Sequence, residues 1–198
     1  MLGIYILIFT ICAINPADRS VWWAENIPVL IPVVILILTF RKFRFSNTSY
    51  FFMTFFFCIH TIGGHYTFEN VPFDYGNSIL NYLNFDFIFP EGRNNYDRIA
   101  HFLIGILAYP VAEIFLRKKW VSNFKVAIFV GIMVIGFWGA LYEIIETIYA
   151  VVCGGEQAAS FLGSQGDIWD AQKDMLLDIS GAVMISMLFY WNYRKLKN

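Results

Sequence analysis

Charge is scarce in this sequence of 198 residues: Asp, Glu, Lys and Arg make up 15% of it, against about 25% in an ordinary soluble domain. The net charge of −1 supplies no basic stripe, which excludes a nucleic-acid partner. Cysteine is scarce too. Cys12, Cys58 and Cys153 are scattered with no paired spacing, so there is neither a disulfide framework nor a zinc-finger pattern. Cys12 and Cys58 fall in apolar runs and are expected to act as small buried hydrophobes. An alternating apolar–polar pattern is missing, which leaves no support for a β-barrel. An internal repeat is missing as well, which argues against a transporter built from two related halves.

What is present is apolar and aromatic. Hydrophobic residues make up 58% of the chain and aromatic residues 19%, including 21 Phe and 11 Tyr. This composition predicts an all-α polytopic membrane protein of one domain, residues 1–198. Six apolar runs approach the roughly 20 residues that a bilayer requires. They lie at about 1–15, 22–40, 48–66, 98–116, 126–150 and 174–193. Residues 1–14 have no basic lead and no small-residue cleavage site, so a short first helix is expected rather than a cleaved signal peptide. Trp22, Trp23, Trp120 and Trp191 fall at predicted membrane borders, where Trp is enriched.

Ten of the fourteen Lys and Arg residues follow the second, fourth and sixth runs. They are Arg41, Lys42 and Arg44, then Arg117, Lys118, Lys119 and Lys125, then Arg194, Lys195 and Lys197. The positive-inside rule puts these segments and both termini in the cytoplasm. The loops at about 16–21, 67–97 and 151–173 then face outward.

That topology brings the polar residues of four runs to one depth. His60 and His65 close the third run, Asp97 and His101 open the fourth, Glu143 and Glu146 precede the end of the fifth, and Asp174 and Asp178 open the sixth. At a rise of about 1.5 Å per residue, Glu143 lies roughly 10 Å below the outer end of its helix. Asp170, Asp174 and Asp178 are four apart and stack on one helix face, as do Asp97 and His101. Three carboxylates in a column repel one another unless something positive sits among them. Ionisable residues inside a span are costly and mark a candidate site. Glu143 and Glu146 share a turn, whereas Tyr142 is expected to project elsewhere. Gly63-Gly64 could unwind the third helix and turn His65 toward the site; the plainer alternative is a close helix contact. Asp167 reads first as a helix cap, Lys173 as a solvated neighbour, and Glu113 as a partner of Arg117 at i,i+4. The loop at 67–97 reads as a lid or a structured cap.

The set His65-Tyr66-Thr67, Asn95-Tyr96-Asp97-Arg98-x-x-His101-Phe102, Glu143-x-x-Glu146 and Gly166-Asp167-x-Trp169-Asp170-Ala171-x-Lys173-Asp174-Met175, continuing to Asp178-x-x-Gly181-Ala182, resembles the YjdF-like family of bacterial inner-membrane proteins of unknown function. The resemblance covers nearly the whole chain and implies a membrane topology. A more distant similarity is to VanZ-like membrane proteins, which are linked to the cell envelope. It rests on Asp97-Arg98-x-x-His101-Phe102, a later Glu143 or Glu146, and the spaced Asp170, Asp174 and Asp178.

The expectation is a bundle of about six transmembrane helices with a pocket open to the outside. Asp97, His101, Glu146, Asp170, Asp174 and Asp178 are the candidate metal ligands, and His65 and Glu143 the candidate acid/base groups. Imidazole with carboxylates suits Zn, Mn or Fe, and an oxygen-rich set suits Mg or Mn. The chemistry would be hydrolysis or group transfer on a lipid or envelope substrate through a metal-activated water. The alternative is a proton- or cation-coupled transporter. A third possibility is a scaffold in which the acidic groups bind only Arg98, Lys173 and one another.

Overall fold

The computed structural model describes residues 1–155 and 162–197, apart from the side chains of Cys153 and residues 195–197. The expectations for Cys153, Lys195 and Lys197 fall outside the described side chains. The described regular structure is entirely helical. The helices are α1 (Leu2–Cys12), α2 (Arg19–Thr39), α3 (Asn47–Tyr66), α4 (Asp74–Tyr82), α5 (Tyr96–Ile104), α6 (Ala108–Arg117), α7 (Phe124–Cys153) and α8 (Asp170–Lys197). A 3₁₀ turn, Gly105–Leu107, joins α5 to α6 into one rod.

Four described helical segments are long and apolar enough to cross a bilayer: Arg19–Thr39, Tyr96–Arg117, Phe124–Val152 and Asp170–Arg194. The expected count of six is not reached on that measure. Helix α1 has 11 residues, short of the roughly 20 needed. Helix α3 has 20 residues, but Asn47, Ser49, His60 and His65 dilute its apolar character.

Local chemistry explains most of the boundaries. The Asp18 side chain caps α2 by accepting from the Ser20 and Val21 amides. Ser46 caps α3 and Asn123 caps α7. Helix α3 does not unwind at its glycines. A Cβ at Gly63 would overlap the Phe68 ring, and one at Gly64 would press on Glu25 and Asn26. Both glycines therefore serve close packing. The helix ends instead at Thr67, whose left-handed φ of 59° makes it the C-cap.

The 3₁₀ turn has a cause that the sequence pattern did not reveal. Pro110 cannot donate to the Ile106 carbonyl, and its ring crowds that carbonyl. In the same stretch Gly105 lies against the backbone of Gly181 and Ala182, where a Cβ would overlap backbone atoms. Gly181 in turn faces the Phe102 carbonyl. Helix α8 thus crosses the α5–α6 rod with backbones almost touching. Gly181→Val must push these backbones apart, so the expected destabilisation is at least the ~1–3 kcal/mol typical of overpacking. Thermal unfolding in detergent measures it, and a wild-type melting curve would show that the crossing is not needed.

The core joins Tyr5 of α1, Val29 and Val33 of α2, Met53 and Phe57 of α3, Ile106 of the turn, Ala127 and Ile135 of α7, and Phe189 of α8. Cys12 is buried and Cys58 half-buried. Large apolar residues such as Leu38, Phe129, Phe137 and Met187 face outward, as a lipid-facing surface requires. Trp23, Trp120 and Trp191 are exposed, in keeping with interfacial belts, but Trp22 is buried against Phe9 and Trp23. At the basic end, Glu113 bonds the Ser46 amide and hydroxyl, the Ser49 hydroxyl and Arg117. This ties the start of α3 to α6.

Candidate functional site

The three aspartates at the start of α8 do share one face, and all three are buried, Asp178 completely. They meet different partners. Asp170 Oδ1 is 2.8 Å from Arg93 Nη2 and 2.9 Å from Arg98 Nη2. Arg98 is itself wholly buried. It donates from Nη2 to Asp167 Oδ2 at 2.5 Å and from Nη1 to the Ile88 carbonyl. Lys173 Nζ adds a 2.6 Å bond to Asp167, so it is not a solvated neighbour. Arg93 also donates to the Ser164 carbonyl at 2.5 Å and the Gly163 carbonyl at 3.2 Å. Arginine forks suit such multiple bonding. Asp170, expected as a metal ligand, is therefore the hub of an arginine network.

Asp167 is more than a helix cap. Burial opposes its ionisation, but the bonds from Lys173 and Arg98 and from the Trp169 amide outweigh this and hold its carboxyl below the usual range.

One turn further along α8 the surroundings change. Asp97 and His101 of α5 and Asp174 of α8 each offer a ligand atom, and these atoms lie within 4.8 Å of one another. His101 Nδ1 is 3.0 Å from Asp178 Oδ1. A carboxylate only accepts, so Nδ1 is the donor, and in the neutral ring Nε2 then keeps its lone pair. That Nε2 faces Asp97 Oδ1 at 3.8 Å and Glu143 Oε1 at 3.9 Å. Asp174 Oδ1, 4.0 Å from Arg98 Nε, has no hydrogen-bond partner among the described residues; neither do Asp178 Oδ2 and Glu143 Oε1. Gly139 of α7 makes this approach feasible, since a Cβ there would overlap Asp178 Oδ2. An imidazole braced by a carboxylate, with its free nitrogen turned toward further carboxylates, is the arrangement in which proteins present histidine to metal ions.

A second polar group faces a cavity that Asp97, His101 and Asp178 also line. Tyr142 of α7 donates to Glu25 Oε2 of α2 at 2.5 Å. His60 Nε2 of α3 lies 3.0 Å from the Glu25 carbonyl and 3.4 Å from Glu25 Oε2. Tyr142 thus points toward the site and not elsewhere. Glu146 is buried and lines the cavity with them, outside the Asp97–His101–Asp174 group. His65 is engaged at the end of α1, where its Nδ1 is 2.8 Å from the Cys12 carbonyl. It does not join the cluster.

Sequence reasoning missed Glu25 and Arg93. Glu25 carried a signal, an acidic residue inside an apolar run. Arg93 carried none, because it sits in the long loop before α5. That loop closes this end of the bundle: it supplies Arg93 and the Ile88 carbonyl, contains α4, and lays Phe87 over Lys173 Nζ at 4.8 Å.

A model of the family described as predicted membrane protein (DUF2238) matches residues 1–195. The chain is similar to the inner membrane protein YjdF of Escherichia coli (strain K12). The two are 35% identical over 179 residues, covering 90% of this chain and 80% of that protein. The more distant likeness to VanZ-like proteins is not among these matches. No solved structure matches the chain.

Proposed function

We propose that this chain, which belongs to the DUF2238 family of predicted membrane proteins, is a metal-dependent hydrolase or transferase of the inner membrane that acts on a lipid or cell-envelope substrate. The observation that carries this reading is the meeting of Asp97, His101 and Asp174 within 4.8 Å, with Asp178 braced behind the imidazole. Among the described residues, no Lys or Arg pairs with Asp178, Glu143 or Glu146. The cationic side chains nearby make their shortest pairs with Asp167 and Asp170, and reach Asp97 and Asp174 only at 3.8 Å from Arg93 and 4.0 Å from Arg98. A divalent ion supplies the missing positive charge, and Zn, Mn, Mg and Fe all accept this mixed donor set. Such an ion would polarise a substrate oxygen or lower the pKa of a bound water. Glu143, 3.9 Å from His101 Nε2, stands where it can take or return a proton. With His65 held by Cys12, the acid/base role rests on Glu143.

Under the positive-inside rule, the basic segments after α2 and α6 and at the end of α8 favour both termini in the cytoplasm and this end of the bundle outward. A proton- or cation-coupled transporter would need polar groups continuing into the inner half. The lining there is apolar, with Val111, Ile114 and Val134, which favours a one-sided site.

Metal analysis of protein purified in detergent tests the reading. Stoichiometric metal is expected in the wild type, and loss of it in Asp174→Ala and His101→Ala. A wild type free of metal after supplementation with zinc or manganese would sink it.

A further inference from the structure

Asp97, His101 and Asp178 line a cavity of about 350 Å³, within the roughly 300–1,000 Å³ of ordinary ligand sites. Its lining is segregated. The charged and hydrogen-bonding side chains, among them Glu25, His60, His101 and Tyr142, stand at one end, and the remainder is hydrocarbon. The α5–α6 rod lines it from Asp97 to Ile114, about 25 Å at 1.5 Å per residue. A bilayer leaflet's hydrocarbon is about 15 Å deep, half of the roughly 30 Å core. The cavity is therefore long enough for an extended chain that starts at the outer boundary.

The cavity also has a side. Helix α2 packs against α3, whereas α7 packs against α6 and α8. Both α2 and α7 line the cavity, through Pro28 and Pro32 on one side and Val134 and Trp138 on the other. Val134 and Trp138 are also 38% and 40% exposed. Residues that line a cavity and stand on the apolar outer surface mark its mouth. The Tyr142–Glu25 bond spans this seam at the polar end only. The mouth thus opens sideways toward hydrocarbon, and no charged side chain lines the apolar stretch.

We propose that the ligand is a membrane lipid, one of whose hydrocarbon chains passes between α2 and α7 into this cavity, with its head group at the Asp97–His101 end. This rests on the function proposed above and names its substrate class. A lipid is polar at one end and apolar along a single extended direction, as the lining is. A small soluble substrate would leave the apolar stretch unused, and a polar one would strand its groups there.

The test uses the full chain in nanodiscs containing a phosphatidylethanolamine with a diazirine midway along one acyl chain. After irradiation, label is expected on the segment holding Leu107 and Val111 and on the α7 segment around Val134. Val111→Trp and Ile104→Trp fill the cavity, so each should abolish that labelling while metal content stays at the wild-type level. Label confined to lipid-facing positions such as Leu38 and Phe129 in the wild type overturns the proposal, whatever the variants do. So does cavity labelling that both tryptophans leave unchanged. Metal without cavity labelling defeats this proposal alone, whereas cavity labelling without metal defeats the metal reading and leaves the lipid site standing.

Discussion

Arg98→Ala is expected to cost about 3–5 kcal/mol of stability, the usual consequence of removing one partner from a buried ion pair. The side chain is fully buried and binds Asp167, Asp170 and the Ile88 carbonyl at once. Without it, Asp170 keeps Arg93 and Asp167 keeps Lys173, but the Ile88 carbonyl loses this donor and the balance of charge in a desolvated place is upset. Arg98→Lys should fall in between, because a single ammonium cannot reproduce the fork geometry that reaches several acceptors. Removing the acid as well, in Arg98→Met with Asp170→Leu, should recover only part of the loss, since buried Arg93 then loses its 2.8 Å partner and keeps only Asp97 at 3.8 Å and the loop carbonyls. Thermal unfolding of the three proteins in one detergent decides the matter. If Arg98→Ala melts with the wild type, the arginine network does not hold this end of the bundle.

Asp178→Asn is expected to weaken zinc binding about 10–100-fold, the range found when the group behind a metal-binding histidine is removed. The carboxylate accepts from His101 Nδ1 and thereby directs the lone pair of Nε2 toward Asp97 and Glu143. An amide can offer an N–H in place of that acceptor, and the imidazole can then turn or change tautomer. Competition against a chromophoric chelator reads the affinity directly. Asp170→Asn serves as the contrast: it should lower thermal stability and leave zinc affinity nearly unchanged, because Asp170 is occupied by Arg93 and Arg98. Equal affinities for wild type and Asp178→Asn would remove Asp178 from the site's architecture.

These two residues also show what a one-dimensional reading can reach. The helical positions of Asp170, Asp174 and Asp178 were legible because a period of 3.6 residues and an apolar continuation fix a face. Asp97, His101 and Glu143 were legible because an ionisable group in a span is costly and therefore conspicuous. The partition among them was not. Whether an aspartate meets an arginine or a histidine depends on which loop folds over it, and Arg93 arrives from a segment with no periodicity. Tyr142 and Glu25 find each other across 117 positions, a pairing that neither local sequence announces. The 3₁₀ break at Gly105–Leu107 needed Pro110 and the opposing Gly181 to be read together. His65 had an obvious chemical use and a structural one, and only three dimensions showed that the end of α1 takes it.

The seam between α2 and α7 also bears on how the molecule is put together. As the chain emerges, α1, α2 and α3 can associate among themselves, since α1 and α2 both pack on α3. At that stage Glu25 has His60 beside it, but Tyr142 has not yet been made. An acidic side chain left at this depth in lipid is costly, on the order of a few kcal/mol. The arrival of α7 supplies the missing hydroxyl, so satisfying Glu25 and closing the polar end of the cavity are the same event. A chain in which the later helices fail to dock would leave that carboxylate incompletely bonded, and such a half-assembled bundle is chemically distinguishable from a finished one.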